Sequence, residues 1–236
     1  MQEINDKVVL ITGGSKGIGY GIAEALKREG ARVAITSRSQ SSADKAIGSL
    51  NKISAGEALG IEADVRDLES QKNAVKKVLD KWGKLDVLVA NAGLGHFASI
   101  EELTKDQWNE TIDTNLTGVF YSIKASLEAL KKTEGYFITI SSLAGTNFFA
   151  GGSAYNASKF GLTGFTQAVM LDLRQYGIKT TTIMPGSVAT EFSSGSDAEW
   201  KIQIEDIGQM TVDLLKLPPR TLPSKIEVRP TMPPKR

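Results

Sequence analysis

Short apolar segments alternate with helix-like segments along most of this chain of 236 residues, and this alternation constrains the fold more than any other feature. Segments such as 7–12, 32–37 and 85–90 are too short for buried helices and are typical of buried strands. The segments between them carry apolar residues at helical spacing. Strands that alternate with helices form a parallel sheet, because two neighbouring parallel strands need a crossover connection between them and a helix usually provides it. The sequence therefore predicts an α/β fold, a doubly wound parallel sheet (Rossmann-like) with helices on both faces.

The whole chain, 1–236, is predicted to be a single domain, because its length suits one core and no repeat or linker interrupts it. Six of the seven prolines follow Leu217, so the segment 217–236 is expected to hold an edge strand and a frayed tail. The predicted strands are 7–12, 32–37, 57–63, 85–90, 137–142, 178–184 and 226–229. The first predicted helix follows the glycine-rich turn at 13–19 and ends at 29. The other predicted helices are 43–52, 68–82, 105–131 and 153–176.

Charge and hydropathy exclude several classes of partner. The formal net charge is +1 and no basic tract is present, so neither nucleic acid nor an anionic membrane surface is an expected partner. Apolar runs such as 8–11 are too short to span a bilayer. The polar segment 1–7 lacks the apolar core of a secretion signal, so a cytoplasmic location is expected.

The chain has no cysteine and one histidine, His96. This composition excludes disulfides, zinc–thiolate sites and cysteine nucleophiles, so no metal site is expected. If the chain is an enzyme, its acid/base must come from tyrosine, lysine, aspartate or glutamate.

A glycine-rich turn follows the first predicted strand. Glycines let a backbone approach a pyrophosphate, and the N-terminus of the next helix stabilises its charge. Tight strand–helix turns also need glycine for backbone reasons alone, and the spacing G-x-x-x-G-x-G departs from G-x-G-x-x-G. Its position after the first strand favours a dinucleotide site, with Thr12, Gly13, Ser15, Lys16, Gly17, Ile18 and Gly19 as candidate contacts.

The end of the second predicted strand bears on the choice between NAD and NADP. In dinucleotide folds an acidic residue there commonly binds the ribose 2′-hydroxyl. This chain has Ser37 and Arg38 at that point and no carboxylate. Arg38, with Lys16 as a weaker second cation, suits a 2′-phosphate, although both could be solvated surface cations. NADP is therefore the expected cofactor, with NAD less favoured.

Tyr155 and Lys159 lie one turn apart on one face of a predicted helix. A phenol with its ordinary pKa of about 10 is a poor base near neutral pH. A nearby ammonium is expected to lower the pKa of Tyr155 toward a useful range. Such pairs also arise by chance, so the pair gains meaning only from its surroundings.

Those surroundings are three further motifs at strand ends, where ligands bind in parallel sheets. They are Ser141-Ser142, Asn91-Ala92-Gly93 and Pro185-Gly186. With T-G-x-x-x-G-I-G and the Tyr155/Lys159 pair in this order, essentially the whole chain resembles the short-chain dehydrogenase/reductase family, in its compact single-domain, NADP-preferring branch. Ala90 stands where the family often has a second asparagine, a common variation.

The resemblance implies an NADP-dependent oxidoreductase that reduces an aldehyde or ketone, or runs the reverse reaction, as a homodimer or tetramer. Tyr155 would be the general acid/base, Ser142 rather than Ser141 would bind the carbonyl oxygen, and Lys159 would bind the nicotinamide ribose. Asn115 would hold a proton-relay water. The remaining cofactor contacts that the resemblance implies are Asp64 and Val65 at the adenine, Asn91, Ala92 and Gly93 at its ribose, and Pro185, Gly186, Val188 and Thr190 at the nicotinamide carboxamide.

The segment 190–200, rich in serine and glycine, is predicted to be a substrate lid. Loops that carry several aromatic and apolar residues converge on the same edge of the sheet, and such a lining suggests an apolar or aromatic carbonyl substrate. His96 also lies in these loops, and no role is assigned to it. The residues concerned are His96, Phe97, Leu143, Phe148, Phe149 and Phe192.

Other functions remain open on the same scaffold. One is reduction of a 3-oxoacyl thioester. A non-catalytic dinucleotide sensor is disfavoured because all four expected catalytic residues are present. A sugar-nucleotide epimerase or dehydratase would need a larger C-terminal substrate domain than the residues after Pro185 can form.

Overall fold

A single parallel sheet of seven strands forms the centre of the molecule, of which this computed structural model describes residues 3–192 and 199–232. The strands are β1 Val8–Ile11, β2 Arg32–Ser37, β3 Ala58–Glu62, β4 Val87–Ala90, β5 Tyr136–Ile140, β6 Lys179–Pro185 and β7 Lys225–Val228. Their spatial order is β3-β2-β1-β4-β5-β6-β7, with every neighbouring pair parallel. From β1 the chain adds β2 and β3 toward one edge of the sheet. It then returns to the centre and adds β4 to β7 toward the other edge. The carboxyl ends of β1 and β4 flank this switch point, where such sheets bind ligands.

Helices cover both faces of the sheet. They are α1 Gly17–Arg28, α2 Gln40–Leu50, α3 Leu68–Trp82, α4 Lys105–Ile112, α5 Gly118–Thr133, α6 Ser153–Leu173 and α7 Ile204–Lys216. Successive residues of β1 enter opposite cores, because strand side chains alternate between faces. Val9 packs with α1, α2 and α7, whereas Val8 packs with α3, α5 and α6. The predicted doubly wound parallel sheet is confirmed.

Two features of the helices differ from the sequence prediction. The long helix predicted over 105–131 is present as a continuous helical run from Lys105 to Thr133, but a π-helical turn at Asp113–Thr117 interrupts its α-helical geometry between α4 and α5. Asn115, in that turn, is fully buried and bonds outside its own helix, to Leu94. The helix α7 was not predicted at all. It packs closely on α1 and completes one face of the sheet.

The ends of the predicted lid lie near the sheet edge that carries the site. A short bridge joins Val188 to Ile202, and Gly186 N–H donates to the Val228 carbonyl at 2.8 Å. The lid residues 193–198 and the tail residues 233–236 lie outside the described ones. Within the described ranges, no helix combines the length and apolar character needed to cross a bilayer.

Candidate active site

The turn between β1 and α1 is shaped by its glycines. Gly13 and Gly17 have φ values of +63° and +57°, which side chains rarely tolerate. A Cβ on Gly19 would meet the side-chain amide nitrogen of Asn91 and lie 2.7 Å from the Gly13 backbone carbonyl oxygen, so the start of α1 leaves no room there for another residue. The predicted glycine-rich turn is therefore a backbone loop pressed against the switch point of the sheet.

Hydrogen bonds tie this turn to β4. Thr12 Oγ1 accepts from the backbone N–H groups of Asn91 and Ala92, each at 3.1 Å. The Asn91 side chain donates in return to the carbonyls of Thr12 and Gly13, each at 3.0 Å. The side chains of Thr12 and Asn91 therefore fix the geometry of the turn. The sequence predicted only a ribose contact for Asn91 and not this structural role.

The N-terminus of α1 suits a phosphate group. Its first turn contains no acidic residue, and Lys16, at the N-cap position, makes no capping hydrogen bond through its side chain. The first N–H groups of a helix need acceptors, and their dipoles favour an anion. A Cβ on Gly17 would lie 3.5 Å from Thr190, so the segment after β6 borders the turn. The residues present fit the pyrophosphate of a dinucleotide.

Tyr155, Ser142 and Lys159 come together beside this turn, at the carboxyl end of β5 and on α6. The Ser142 side chain lies close enough to the Tyr155 hydroxyl to lower its pKa. Lys159 is 5% exposed, and its Nζ donates to the Ile140 carbonyl at 3.0 Å. Ser141 is instead directed into α6, where its Oγ bonds Thr163 Oγ1 at 3.0 Å. This supports the choice of Ser142 over Ser141.

The prediction that Lys159 lowers the pKa of Tyr155 is wrong in this structure. Burial raises the pKa of Tyr155 above its ordinary value, and the nearby Ser142 side chain only partly opposes this. Burial also lowers the pKa of Lys159 to about 8. Its Nζ lies 5.7 Å from the Tyr155 ring centroid and bonds the Ile140 carbonyl instead of the phenol. Near neutral pH, Tyr155 is therefore a protonated phenol that can donate a proton.

Asn115 lies in the π-helical turn and faces the loop after β4. Its Oδ1 accepts from Leu94 N–H at 2.8 Å, and its Nδ2 donates to the Leu94 carbonyl at 2.8 Å and to Ser158 Oγ at 3.0 Å. Both amide hydrogens are thus used by protein partners. The side chain anchors the loop and α6 to each other, whereas the sequence predicted that it binds a relay water. The pattern gave no signal for Leu94 and Ser158 as its partners.

The cations predicted to bind a 2′-phosphate are both paired with carboxylates. Arg38 Nη1 lies 3.8 Å from Glu110 Oε1, and Lys16 Nζ lies 2.7 Å from Glu191 Oε2. Glu110 also lies 2.8 Å from His96 Nε2 and 3.7 Å from Arg66, and this last residue bonds Asp64 at 2.6 Å. Contact with His96, followed by the two arginines, holds the pKa of Glu110 below its usual range. Glu110 and Arg66 were missed from the sequence, because neither belongs to a motif.

Three predicted cofactor contacts have side chains that serve the core. Val65 is 6% exposed and packs against Gly118 at the start of α5. Ile18 and Val188 pack on the core that α1 and α7 share. Their contribution to a bound dinucleotide would therefore come from the backbone.

Aromatic side chains from three loops gather around Tyr155. Its ring centroid lies 5.5 Å from that of Phe97 and 5.7 Å from that of Phe192, and Phe97 also lies 5.9 Å from Phe149. We call Phe97, Phe149, Phe192 and Tyr155 the aromatic cluster. Phe148 is 86% exposed and makes no ring contact within the described residues, so it does not belong to the cluster.

Comparison with known proteins gives consistent matches. Residues 7–200 match the family model described as short chain dehydrogenase. Trans-4-hydroxycyclohexanecarboxylate dehydrogenase of Sinomonas cyclohexanicum is 38% identical over 197 residues, covering 81% of this chain and 76% of that protein. A 3-oxoacyl-[acyl-carrier-protein] reductase of Synechocystis sp. is 35% identical over 200 residues, covering 84% and 81%.

Among solved structures, the alcohol dehydrogenase of the archaeon Thermococcus sibiricus, complexed with 5-hydroxy-NADP, superposes with a TM-score of 0.91. It is 32% identical, and the match covers 98% of this chain and 100% of that one. Sequence and structure thus agree along nearly the whole length, and this chain is a member of the short-chain dehydrogenase family of oxidoreductases.

Proposed function

We propose that this protein is an NADP-dependent carbonyl reductase or alcohol dehydrogenase in which Tyr155 is the general acid/base. The observation that carries the proposal is that the Tyr155 ring centroid lies 5.7 Å from Nζ of the buried Lys159, with Ser142 close enough to act on the pKa of the phenol. These groups stand at the sheet edge next to a turn that suits a pyrophosphate. An acid, a second hydroxyl and a buried cation together match the needs of carbonyl reduction.

Each side chain has a distinct task in reduction. When bound, NADPH supplies the hydride that reaches the carbonyl carbon. The Tyr155 hydroxyl gives its proton to the carbonyl oxygen, and Ser142 donates a hydrogen bond to the same oxygen. The Lys159 ammonium stabilises the phenolate left behind and binds the ribose hydroxyls. Asn115 is a positioning residue, because its side chain holds α6 against the loop that follows β4. Oxidation of the alcohol runs the same proton transfer in reverse.

NADP is the cofactor that the cation pattern favours. No carboxylate follows β2, Arg38 is there instead, and the structure of the related alcohol dehydrogenase contains 5-hydroxy-NADP. Lys16 stands next to the phosphate-binding turn as a second cation. The adenine would lie near Asp64 and Val65, and the nicotinamide end near Pro185, Gly186 and Thr190.

Replacing Tyr155 with phenylalanine tests the proposal. Tyr155→Phe keeps the ring and removes the transferable proton, so kcat should fall roughly 10²–10⁴-fold while NADPH affinity changes little. Tyr176→Phe, at an exposed tyrosine beyond α6, is the matched control and should leave kcat unchanged. Stopped-flow absorbance at 340 nm and a binding titration separate the two quantities. Near wild-type kcat in Tyr155→Phe would remove Tyr155 from the mechanism.

Reduction of a 3-oxoacyl thioester is the second candidate, favoured by the identity with the Synechocystis reductase. The same proton donor would serve it, so Tyr155 does not distinguish the two. A comparison of kcat/KM for acetoacetyl-CoA with that for simple ketones and aldehydes does. A preference for the thioester by orders of magnitude would assign the second function.

A further inference from the structure

We propose that the aromatic cluster makes this protein selective for uncharged aryl ketones and aryl aldehydes, in which the ring is attached to the carbonyl carbon. The inference rests on the proposed carbonyl reduction and specifies its substrate class. It depends on which rings contact Tyr155, on how they contact one another, and on the lack of lysine, arginine, aspartate and glutamate in the loops that carry Phe97 and Phe149.

The cluster is an exposed apolar surface built from separate parts of the chain. Phe97 follows β4, Phe149 precedes α6 and Phe192 follows β6, and they are 51%, 49% and 45% exposed. Contiguous exposed apolar surface of this kind marks a binding site more often than a packing site. Because Tyr155 is in the cluster, a ligand bound there is beside the proposed proton donor.

The rings prefer contact with another ring. Phe97 meets Tyr155 edge-on at an interplanar angle of 62° and Phe192 at 86°, with centroids 6.1 Å apart in the second pair. A substrate that reaches the Tyr155 hydroxyl must separate some of these pairs. An aryl ring restores ring-to-ring contact, whereas a saturated ring of similar size restores only apolar burial. Each restored contact favours the aryl compound by roughly two- to tenfold.

The position of the contacts sets where the ring of the substrate lies. Phe97 and Phe192 touch the Tyr155 ring itself, so a ligand ring that takes up their contacts lies directly beside the phenol. The carbonyl oxygen must at the same time reach the phenol hydroxyl. A ring bonded directly to the carbonyl carbon meets both requirements, and a ring at the end of a long chain does not.

The loops that carry two of the phenylalanines contain almost no charge. No lysine, arginine, aspartate or glutamate occurs between Glu134 and Lys159 or within 91–100. His96, in the second loop, is bonded to Glu110. These loops therefore offer no ion pair to a carboxylate or a phosphate on the substrate, and burial of such a group without a partner is costly. This favours a neutral substrate.

Matched ketones test the selectivity. We would measure kcat/KM with NADPH for acetophenone and for cyclohexyl methyl ketone, which differ in ring type but little in size. The ratio of the two values is then compared between the wild type, Phe97→Leu and Phe192→Leu, because the comparison cancels the intrinsic reactivity of each ketone. Each variant should lower the acetophenone preference by roughly two- to tenfold. Phe148→Leu, at the neighbouring exposed phenylalanine, should leave the ratio unchanged.

Direct binding provides a readout that needs no turnover. Calorimetry on the NADP-saturated protein should give a Kd for benzamide about tenfold lower than that for cyclohexanecarboxamide, with that difference reduced by roughly two- to tenfold in Phe97→Leu. Equal Kd values in the wild type, or leucine variants that affect both ketones equally, would overturn the inference. Reduction of the saturated ketone or of acetoacetyl-CoA without reduction of acetophenone would overturn it and leave carbonyl reduction standing. If no carbonyl compound is reduced, the proposed function fails, and the amide Kd ratio still decides whether the cluster selects aryl rings.

Discussion

Burial acts in opposite directions on the two ionisable side chains at the centre of the site. It raises the pKa of Tyr155 and lowers that of Lys159 to about 8. In both cases the desolvated interior disfavours the charged form. Near neutral pH the phenol keeps its proton and the ammonium is only modestly favoured. A bound ribose or an arriving carbonyl group therefore meets a neutral phenol that can donate its proton and an ammonium that is close to losing one.

The depressed pKa of Lys159 predicts how stability changes with pH. Between about 8 and the ordinary value of 10.5, the unfolded chain binds the lysine proton and the folded chain does not, so folding gains as pH rises through this window. Lys159→Met lacks this contribution. The free energy of unfolding of the wild type minus that of the variant should rise by about 3 kcal/mol between pH 7 and pH 10.5. Urea denaturation at several pH values measures it. A constant difference would mean that Lys159 is not desolvated.

Glu110 is predicted to weaken NADPH binding, because it lies beside the proposed ligand of the 2′-phosphate. Arg38→Ala should raise the Kd of NADPH roughly ten- to a hundredfold and leave that of NADH nearly unchanged. Glu110→Gln should lower the Kd of NADPH by only about two- to fivefold, because the Arg38 side chain is 67% exposed and screened. Fluorescence titration measures both.

The matched control for Glu110→Gln is Glu69→Gln, which removes an exposed carboxylate paired with Lys72 on α3. Its Kd values should equal those of the wild type. Equal use of NADH and NADPH by the unmodified protein would withdraw the assignment of Arg38 and the preference for NADP.

Helices α1 and α7 approach so closely that glycine is required where they cross. A Cβ on Gly208 would lie 2.6 Å from the Gly21 carbonyl oxygen, and one on Gly21 would lie 2.5 Å from the Ile204 carbonyl oxygen. Backbone atoms do not move aside as the end of a flexible side chain can. This crossing fastens α7 to the helix whose N-terminus borders the site.

Gly208→Ala should therefore destabilise the protein, by about 1–3 kcal/mol, through overpacking of the crossing. Gly48→Ala is the matched control, because this exposed glycine of α2 has open space around it. Its greater helix propensity should stabilise the protein by roughly 0.5–1 kcal/mol. Thermal and urea unfolding compare the pair. Similar effects of the two substitutions would show that α1 and α7 separate more easily than the structure indicates.

Regular elements were predictable because their signals are local. The order of strands and helices follows from hydrophobic periodicity, and strand ends mark the site edge. The π-helical turn was not predicted, because the apolar residues over 105–131 keep helical spacing through it and its buried Asn115 bonds Leu94 in another segment. Helix α7 could have been found, since Ile204, Ile207, Met210, Leu214 and Leu215 recur at helical spacing and Glu205 and Asp206 place acidic residues in the first turn. The pairing of Arg38 with Glu110 depends on tertiary proximity, so no pattern along the chain reveals it.

Exposed apolar side chains on α4, α5 and α6 predict assembly of the whole molecule. Trp108, Phe120, Phe160 and Leu171 are 40%, 42%, 43% and 58% exposed, and Phe120 contacts Phe165 across α5 and α6. Large exposed apolar surface of this kind is typical of an interface between chains. We expect a homodimer or tetramer by light scattering at micromolar concentration.

The double substitution Phe120→Lys and Phe160→Lys should shift the protein to a monomer, because two cations would be buried without partners. Phe148→Lys adds a cation at an exposed phenylalanine away from these helices and should keep the oligomer. A wild type of purely monomeric mass would contradict the expectation.

The strand β7 has a consequence for how the molecule avoids self-association. It pairs with β6, and Gly186 N–H, at the end of β6, donates to the Val228 carbonyl. Without β7, β6 would be an exposed edge strand, and its unpaired N–H and C=O groups could pair with strands of other chains. Pairing of another strand with the exposed edge of β7 is disfavoured, because Lys225 and Glu227 carry charge on this strand and Pro230, just beyond it, lacks an N–H group. The last strand thus covers the edge of β6 and replaces it with an edge that other chains can pair with less readily.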